Sequence, residues 1–145
     1  MRAEFKADKA ACGSMAANAK DICVEQANGK EKVARAELEA GHSGTVANRN
    51  KMQVVKAETA YAVAKEKCDD LAGNVKDVCV KEAKAVEVKA LADAKLRKQI
   101  GEASADASTD KRDADYKVAA EKCDAMAGDA KSGCLSAAKA KFGKS

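Results

Sequence analysis

The sequence contains no proline and no tryptophan, and aromatic residues make up 3% of its 145 positions. It also lacks any run in which valine, isoleucine, threonine and aromatic residues alternate with polar ones, which is the pattern of a β-strand. Alanine, lysine and glutamate are abundant instead, and these are among the strongest helix formers. The sequence therefore predicts an all-α protein.

Bulky apolar side chains are scarce as well. The hydrophobic fraction is 46%, but 34 of the residues counted in it are alanines. Because burial stabilises a fold by about 25 cal/mol per Å² of apolar area, a core of alanine and valine is weak for its length. We therefore expect the fold to be held by something more than its core.

Neither sign of charge accumulates in one place. The 27 basic and 23 acidic residues give a net charge of +4, are interleaved, and form no block of five or more like charges, so a tail for nucleic acid or membranes is not indicated. The longest uncharged stretch, 10–19, is far shorter than the roughly 18 residues of a membrane span. The first residues, MRAEFKADKA, contain no apolar h-region. We expect no nucleic-acid partner, no transmembrane segment and no signal peptide in this sequence.

Groups that could perform catalysis are also missing. The only histidine, His42, stands in a glycine-flanked segment, where a solvated loop residue is expected. Asp69 and Asp70 follow Cys68 directly, but adjacent helical residues point in different directions, which indicates surface charge rather than an acid–base pair. No phosphate-binding loop, G-x-S-x-G or H-E-x-x-H motif occurs. The sequence predicts a protein that is not an enzyme and needs no cofactor.

What the sequence does contain is a repeat. Pairs of cysteines eleven residues apart recur three times, within 12–23, 68–79 and 123–134. The second and third copies, KCDDLAGNVKDVC and KCDAMAGDAKSGC, are nearly identical, and ACGSMAANAKDIC is a more divergent first copy. Such self-similarity is the signature of repeated supersecondary units.

Several columns agree when the copies are aligned on the first cysteine. An aromatic residue stands seven positions before it, a large apolar residue three after it and a lysine eight after it. Positions −7, 0 and +3 share one face of a helix. The pattern predicts a core stripe, with an aromatic ligand site as the alternative, formed by Phe5, Met15, Tyr61, Leu71, Tyr116 and Met126.

The residues between the cysteines are those of a tight turn between two helices. Gly73 and Gly128 suit the left-handed position just past a helix C-terminus, and Asn74 and Asp129, which follow them, are favoured N-caps. Each copy therefore predicts an αα-hairpin. The first copy has Ala17 in place of the glycine, so its corner should be the most strained or the loosest of the three.

Each cysteine of a pair would lie about one turn from the corner, on opposite arms. This placement predicts the disulfides Cys12–Cys23, Cys68–Cys79 and Cys123–Cys134, and hence an oxidising compartment. Zinc ligands are usually two to four residues apart and a Cys-x-x-Cys redox motif is absent, so neither use is indicated. Two facing thiolates could instead hold a soft ion such as Cu(I), and free buried thiols are a further alternative.

The segments 41–44 and 99–110 contain glycine, serine and other breakers, with Ser108 and Thr109 as N-cap candidates. We therefore predict one domain, 1–145, built as an up-down bundle of six helices with all three corners at one end. An extended zigzag is one alternative, and the joining of the fourth and fifth helices into one long kinked rod through Gly101 is another. The predicted helices are 2–16, 18–40, 45–72, 74–100, 108–127 and 129–142.

The stretches AKEKCDDLAGNVKDVCVKEAKA and AAEKCDAMAGDAKSGCLSAAKAKFGK resemble a group of small, exported, Ala/Lys-rich proteins of Gram-negative bacteria. Members are sometimes labelled cell-envelope or TolA-like proteins. The resemblance covers most of the chain and implies a periplasmic or secreted setting, but no established activity and no catalytic residues. The chain departs from the group's pattern in lacking an export signal and in its first corner, which has no glycine.

Together these observations predict a non-enzymatic periplasmic or secreted scaffold that acts by binding, spacing or assembly. A protein partner or self-association is expected. The alternative is a stress-related protein that binds a soft, copper-type metal, or undergoes thiol redox chemistry, through the cysteine pairs.

Overall fold

The structure, a computed structural model, describes residues 2–145, with side chains from residue 3 onward. It is all-α, as predicted, and residues 2–145 contain no β-strand. Its five α-helices are α1 (Arg2–Ala11), α2 (Ala17–Ser43), α3 (Val46–Cys68), α4 (Gly73–Cys123) and α5 (Gly128–Phe142), and a short 3₁₀ turn, Cys12–Ser14, follows α1.

The number of helices differs from the six that were predicted. The break expected within 99–110 is absent, and the predicted helices 74–100 and 108–127 are the single helix α4. Gly101 costs a helix only about 1 kcal/mol relative to alanine, which is too little to end it among the alanines of this segment. Thr109, expected as an N-cap, donates its hydroxyl to the carbonyl of Ala105, four residues earlier in the same helix, and so is satisfied inside it.

The continuity of α4 removes one further expectation. The second cysteine pair lies at the start of α4 and the third lies at its end. No helix break occurs at 101–107, where the prediction required one. The inference that all three corners lie at one end therefore loses its basis.

The chain divides into two compact units, Met1–Gln99 and Ile100–Ser145, and the single domain 1–145 stays a prediction. In the first unit, α2 packs against both α1 and α3. Its buried apolar side chains are small, as the composition requires: Ala27, Ala36, Ala40, Ala57 and Ala94, beside Cys12 and Cys68. Small side chains let helices approach closely, and at one point Gly29 of α2 lies against Thr59 of α3.

The turn between α2 and α3 follows its sequence signals closely. Gly44 adopts the left-handed conformation, with φ of +60°, and its N–H donates to the carbonyl of Ala40. Thr45 then caps α3, since its hydroxyl oxygen accepts from the backbone N–H of Asn48 at 3.1 Å. A left-handed glycine followed by a threonine N-cap ends one helix and begins the next within three residues.

The second unit consists of the last part of α4 and α5. The disulfide Cys123–Cys134 joins the two helices. The Tyr116 and Phe142 rings meet edge to face with centroids 6.4 Å apart, and Lys144 forms an ion pair with Asp113. Aromatic contact and a disulfide thus supplement the little apolar area that two alanine-rich helices bury.

Candidate functional site

The three cysteine pairs form the three disulfides that their spacing predicts. Each bridge joins residues eleven apart, with Cα–Cα distances of 5.6, 5.8 and 5.6 Å in chain order. The first cysteine of each pair, Cys12, Cys68 or Cys123, is 1% exposed. We call the bridged segments 12–23, 68–79 and 123–134 the first, second and third stapled corners.

The staples matter because the core is weak. A disulfide that closes a loop of about 12 residues stabilises a fold by roughly 2.8 kcal/mol in the chain-entropy description. Whole domains are stable by only about 5–15 kcal/mol. Three staples can therefore supply a large share of the stability of this chain.

One backbone position is left-handed in all three corners. Gly73 and Gly128 have φ of +57° and +56°, and the corresponding residue of the first corner, Ala17, has φ of +50°. Each begins the helix that follows the corner. For a residue with a β-carbon this conformation costs about 1–2 kcal/mol. The prediction that the glycine-less corner is strained fits this geometry.

The predicted N-caps Asn74 and Asp129 are wrong, because α4 begins at Gly73 and α5 at Gly128, so both residues lie inside their helices. Ala127 is the N-cap of α5 and Ala16 is that of α2, and neither makes a side-chain capping bond. Asp129 lies inside the first turn of α5. Asn18 donates its side-chain amide to the carbonyl of Glu66 at 2.8 Å, and so ties the first corner to α3.

The repeated lysine forms an ion pair with an aspartate in two corners. Lys76 Nζ lies 2.8 Å from Asp69 Oδ1 and Lys131 Nζ lies 2.9 Å from Asp124 Oδ1. Each pair joins the residue after the first cysteine to the arm beyond the corner. The hydrogen bond to Asp69 raises the pKa of Lys76 above its usual 10.5. The first corner has Gly13 where the aspartate would be, so this pair cannot form there.

The predicted core stripe is half right. The aromatics Phe5, Tyr61 and Tyr116 are half-buried. Lysine ammonium groups lie over two of the rings, with Lys9 5.1 Å from the Phe5 centroid and Lys84 4.8 Å from the Tyr61 centroid. These contacts cover the rings with protein side chains, as a structural role requires.

The other half of the stripe is not core. Met15, Leu71 and Met126 are 45, 40 and 48% exposed. The preceding helix ends before these positions, and the backbone N–H of each donates to the carbonyl of the corner's first cysteine, three residues earlier. Helical periodicity stops at the turn, so the +3 residue projects from the corner instead of continuing the buried face. Each stapled corner thus presents one apolar side chain to solvent.

A groove in the first unit was not predicted. It encloses about 940 Å³ between α1, α2 and α3, with Gly29, Val33 and Ala34 among its lining residues on α2. The residue that could have indicated this groove in the sequence is Gly29, a glycine in the middle of an alanine-rich helix.

Charged residues at the groove are paired with one another. Lys30 Nζ lies 2.9 Å from Asp8 Oδ2, and Lys56 Nζ lies 2.7 Å from Glu37 Oε1. Because each lysine already has a carboxylate partner, the groove offers no unbalanced charge to a ligand. Its small apolar lining suits aliphatic side chains better than an ionic group.

His42 lies in the last turn of α2 and is exposed, so it is helical rather than in the expected loop. Within residues 2–145, no helix is long and apolar enough to cross a membrane. The same residues hold no group of three or more His, Cys, Asp or Glu side chains that could bind a metal ion.

Comparison with known proteins found no matching family model, no matching curated protein and no matching solved structure.

Proposed function

We propose that this chain is a non-enzymatic periplasmic or secreted scaffold that acts by binding or spacing other molecules. The observation that carries the proposal is the threefold repetition of one stapled corner. All three corners have a disulfide, a left-handed residue five positions after the first cysteine and an exposed apolar residue three positions after it. The lysine that recurs with this device is paired with an aspartate in two of the three corners, and repetition of a structural device is typical of a scaffold.

The state of the cysteines supports an exported location. All six are paired in disulfides and none is free. Disulfides form and persist in the periplasm and outside the cell, whereas cytosolic reductants keep thiols reduced. The resemblance to exported Ala/Lys-rich proteins of Gram-negative bacteria points to the same compartments.

The surface supports binding rather than catalysis. The groove between α1, α2 and α3 has a small apolar lining and paired charges, which suits contact with apolar side chains of a protein. The alternative function, soft-metal or thiol-redox binding, would first require reduction, because a disulfide sulfur is not the thiolate that such ions bind.

The test is the redox state and location of the chain in its own cells. Cells are quenched in acid, free thiols are alkylated, and the envelope, medium and cytoplasm are separated before mass analysis of this chain. We expect the chain in the envelope or the medium with no alkylated cysteine. A cytoplasmic chain with alkylated cysteines would contradict the proposal.

A further inference from the structure

Helix α4 carries an apolar stripe within the first unit. Val75, Val78, Val86 and Leu96 are all exposed. At about 100° per residue they fall within about 80° of the helix circumference. The buried positions of the same segment, Glu87 and Ala94, lie about 100° or more from the middle of this arc. Single exposed apolar residues are ordinary, but four on one side of a helix, even with charged residues between them, offer a partner a line of apolar contacts.

Two charged residues lie on the same stripe. Glu82 and Lys89 are exposed, and among the described residues neither has an ion-pair partner. They are two turns apart, about 10.5 Å along the axis, so they cannot pair with each other in one chain. Both are available to a molecule that docks on the stripe.

The order of these residues is self-complementary. When a second α4 is laid antiparallel, with a twofold axis passing between Ala85 and Val86, Val75 stands opposite Leu96 of the second copy. Glu82 then stands opposite Lys89 of the second copy. Each of these pairs occurs twice, as in every isologous interface, and the two copies of Val86 meet beside the axis.

We propose that the α4 stripe, Val75–Leu96, is a homodimer interface in which two copies of this chain pair antiparallel through it. The charges select the direction, because a parallel copy in register would place Glu82 against Glu82 and Lys89 against Lys89. Asp93, also exposed on the stripe, stands opposite Val78 and weakens the interface. The dimer is therefore concentration-dependent. This surface is separate from the proposed scaffold function, which does not require the chain to pair with itself.

The first test compares two exposed valines of the same helix. Val86 is 65% exposed and lies on the stripe, whereas Val88 is 53% exposed and lies well outside its arc. Sedimentation velocity of the oxidised full chain is measured from low-micromolar to near-millimolar concentration. We expect reversible dimerisation that Val86→Glu weakens at least about tenfold, because two carboxylates per dimer are then desolvated, and that Val88→Glu leaves unchanged. A wild-type chain that stays monomeric throughout, or equal effects of the two variants, would overturn the proposal.

The second test is a charge exchange. Glu82→Lys alone, or Lys89→Glu alone, places like charges opposite each other and should weaken the dimer. The double variant Glu82→Lys/Lys89→Glu restores two opposite-charge pairs and should recover the wild-type dissociation constant. The matched control is Glu82→Lys/Lys81→Glu, which has the same composition but leaves Lys89 facing a lysine, and we expect it to stay weak. Failure of the first double variant to recover, or recovery by the control, would contradict antiparallel pairing.

Discussion

Gly29 of α2 faces Thr59 of α3 where the two helices pack together. A β-carbon at position 29 would lie 3.3 Å from Thr59 Cβ and 3.7 Å from its Cγ2. The Thr59 hydroxyl is held by the carbonyls of Val55 and Lys56, at 2.8 and 3.2 Å. The threonine is therefore fixed on its own helix and has little freedom to give way.

A larger side chain at position 29 should force α2 and α3 apart. We expect Gly29→Val to lower the free energy of unfolding by about 1–3 kcal/mol, the usual cost of overpacking. The control is Gly41→Val on the same helix, where nothing lies within 4 Å of the new β-carbon, and its effect should stay within about 0.5 kcal/mol. Denaturant unfolding of the oxidised proteins measures both. Equal effects would show that the close approach is not a packing constraint.

The first corner should be improved by the glycine that the other two corners have. Ala17→Gly removes the strain of a left-handed alanine, which is about 1–2 kcal/mol. It also raises the conformational entropy of the unfolded chain, which lowers stability by about 0.4–1 kcal/mol. The expected net result is a gain of about 0 to 1.6 kcal/mol in unfolding free energy. Ala19→Gly, in the first turns of the same helix, should instead cost up to about 1 kcal/mol. Thermal unfolding of both variants measures these changes in stability. If Ala17→Gly loses about as much stability as Ala19→Gly, the backbone at position 17 is not strained.

The lysine–aspartate pair of the second corner can be tested by titration. The hydrogen bond from Lys76 to Asp69 raises the pKa of the ammonium group above 10.5. Its contribution to stability is therefore present below pH 10.5 and is lost as the pH rises through the raised pKa. In NMR titrations of the lysine ε-carbons, Asp69→Asn should bring the pKa of Lys76 back toward 10.5. Asp124→Asn, in the third corner, should leave it unchanged. A pKa of Lys76 that does not respond to Asp69→Asn would exclude the pair in solution.

The disulfides and the left-handed glycines of the corners could be predicted because local residues decide them. Cysteine spacing, a glycine with positive φ and the aligned repeats all act within about a dozen residues, and they place the disulfides correctly. The same local reasoning predicted a break at 41–44, and the structure turns at Gly44 and Thr45. Where short-range backbone geometry fixes the structure, one sequence is sufficient.

The errors arose where a local signal competed with its surroundings. Gly101, Ser108 and Thr109 favour a break, but none costs a long alanine-rich helix enough to end it, and α4 continues through them. Helical periodicity predicts a buried Met126 only when it is extended across a turn, where it no longer holds. The groove around Gly29 depends on how three helices pack, and periodicity within one helix does not describe that packing.

The most direct test of three stapled corners is the intact mass of the purified chain, followed by mapping of its linked peptides. We predict a mass six hydrogens below that of the fully reduced chain, unchanged when copper or zinc is added. The linked peptides should join only Cys12 to Cys23, Cys68 to Cys79 and Cys123 to Cys134. Six free thiols together with stoichiometric uptake of metal would contradict the stapled scaffold and favour a metal-binding protein.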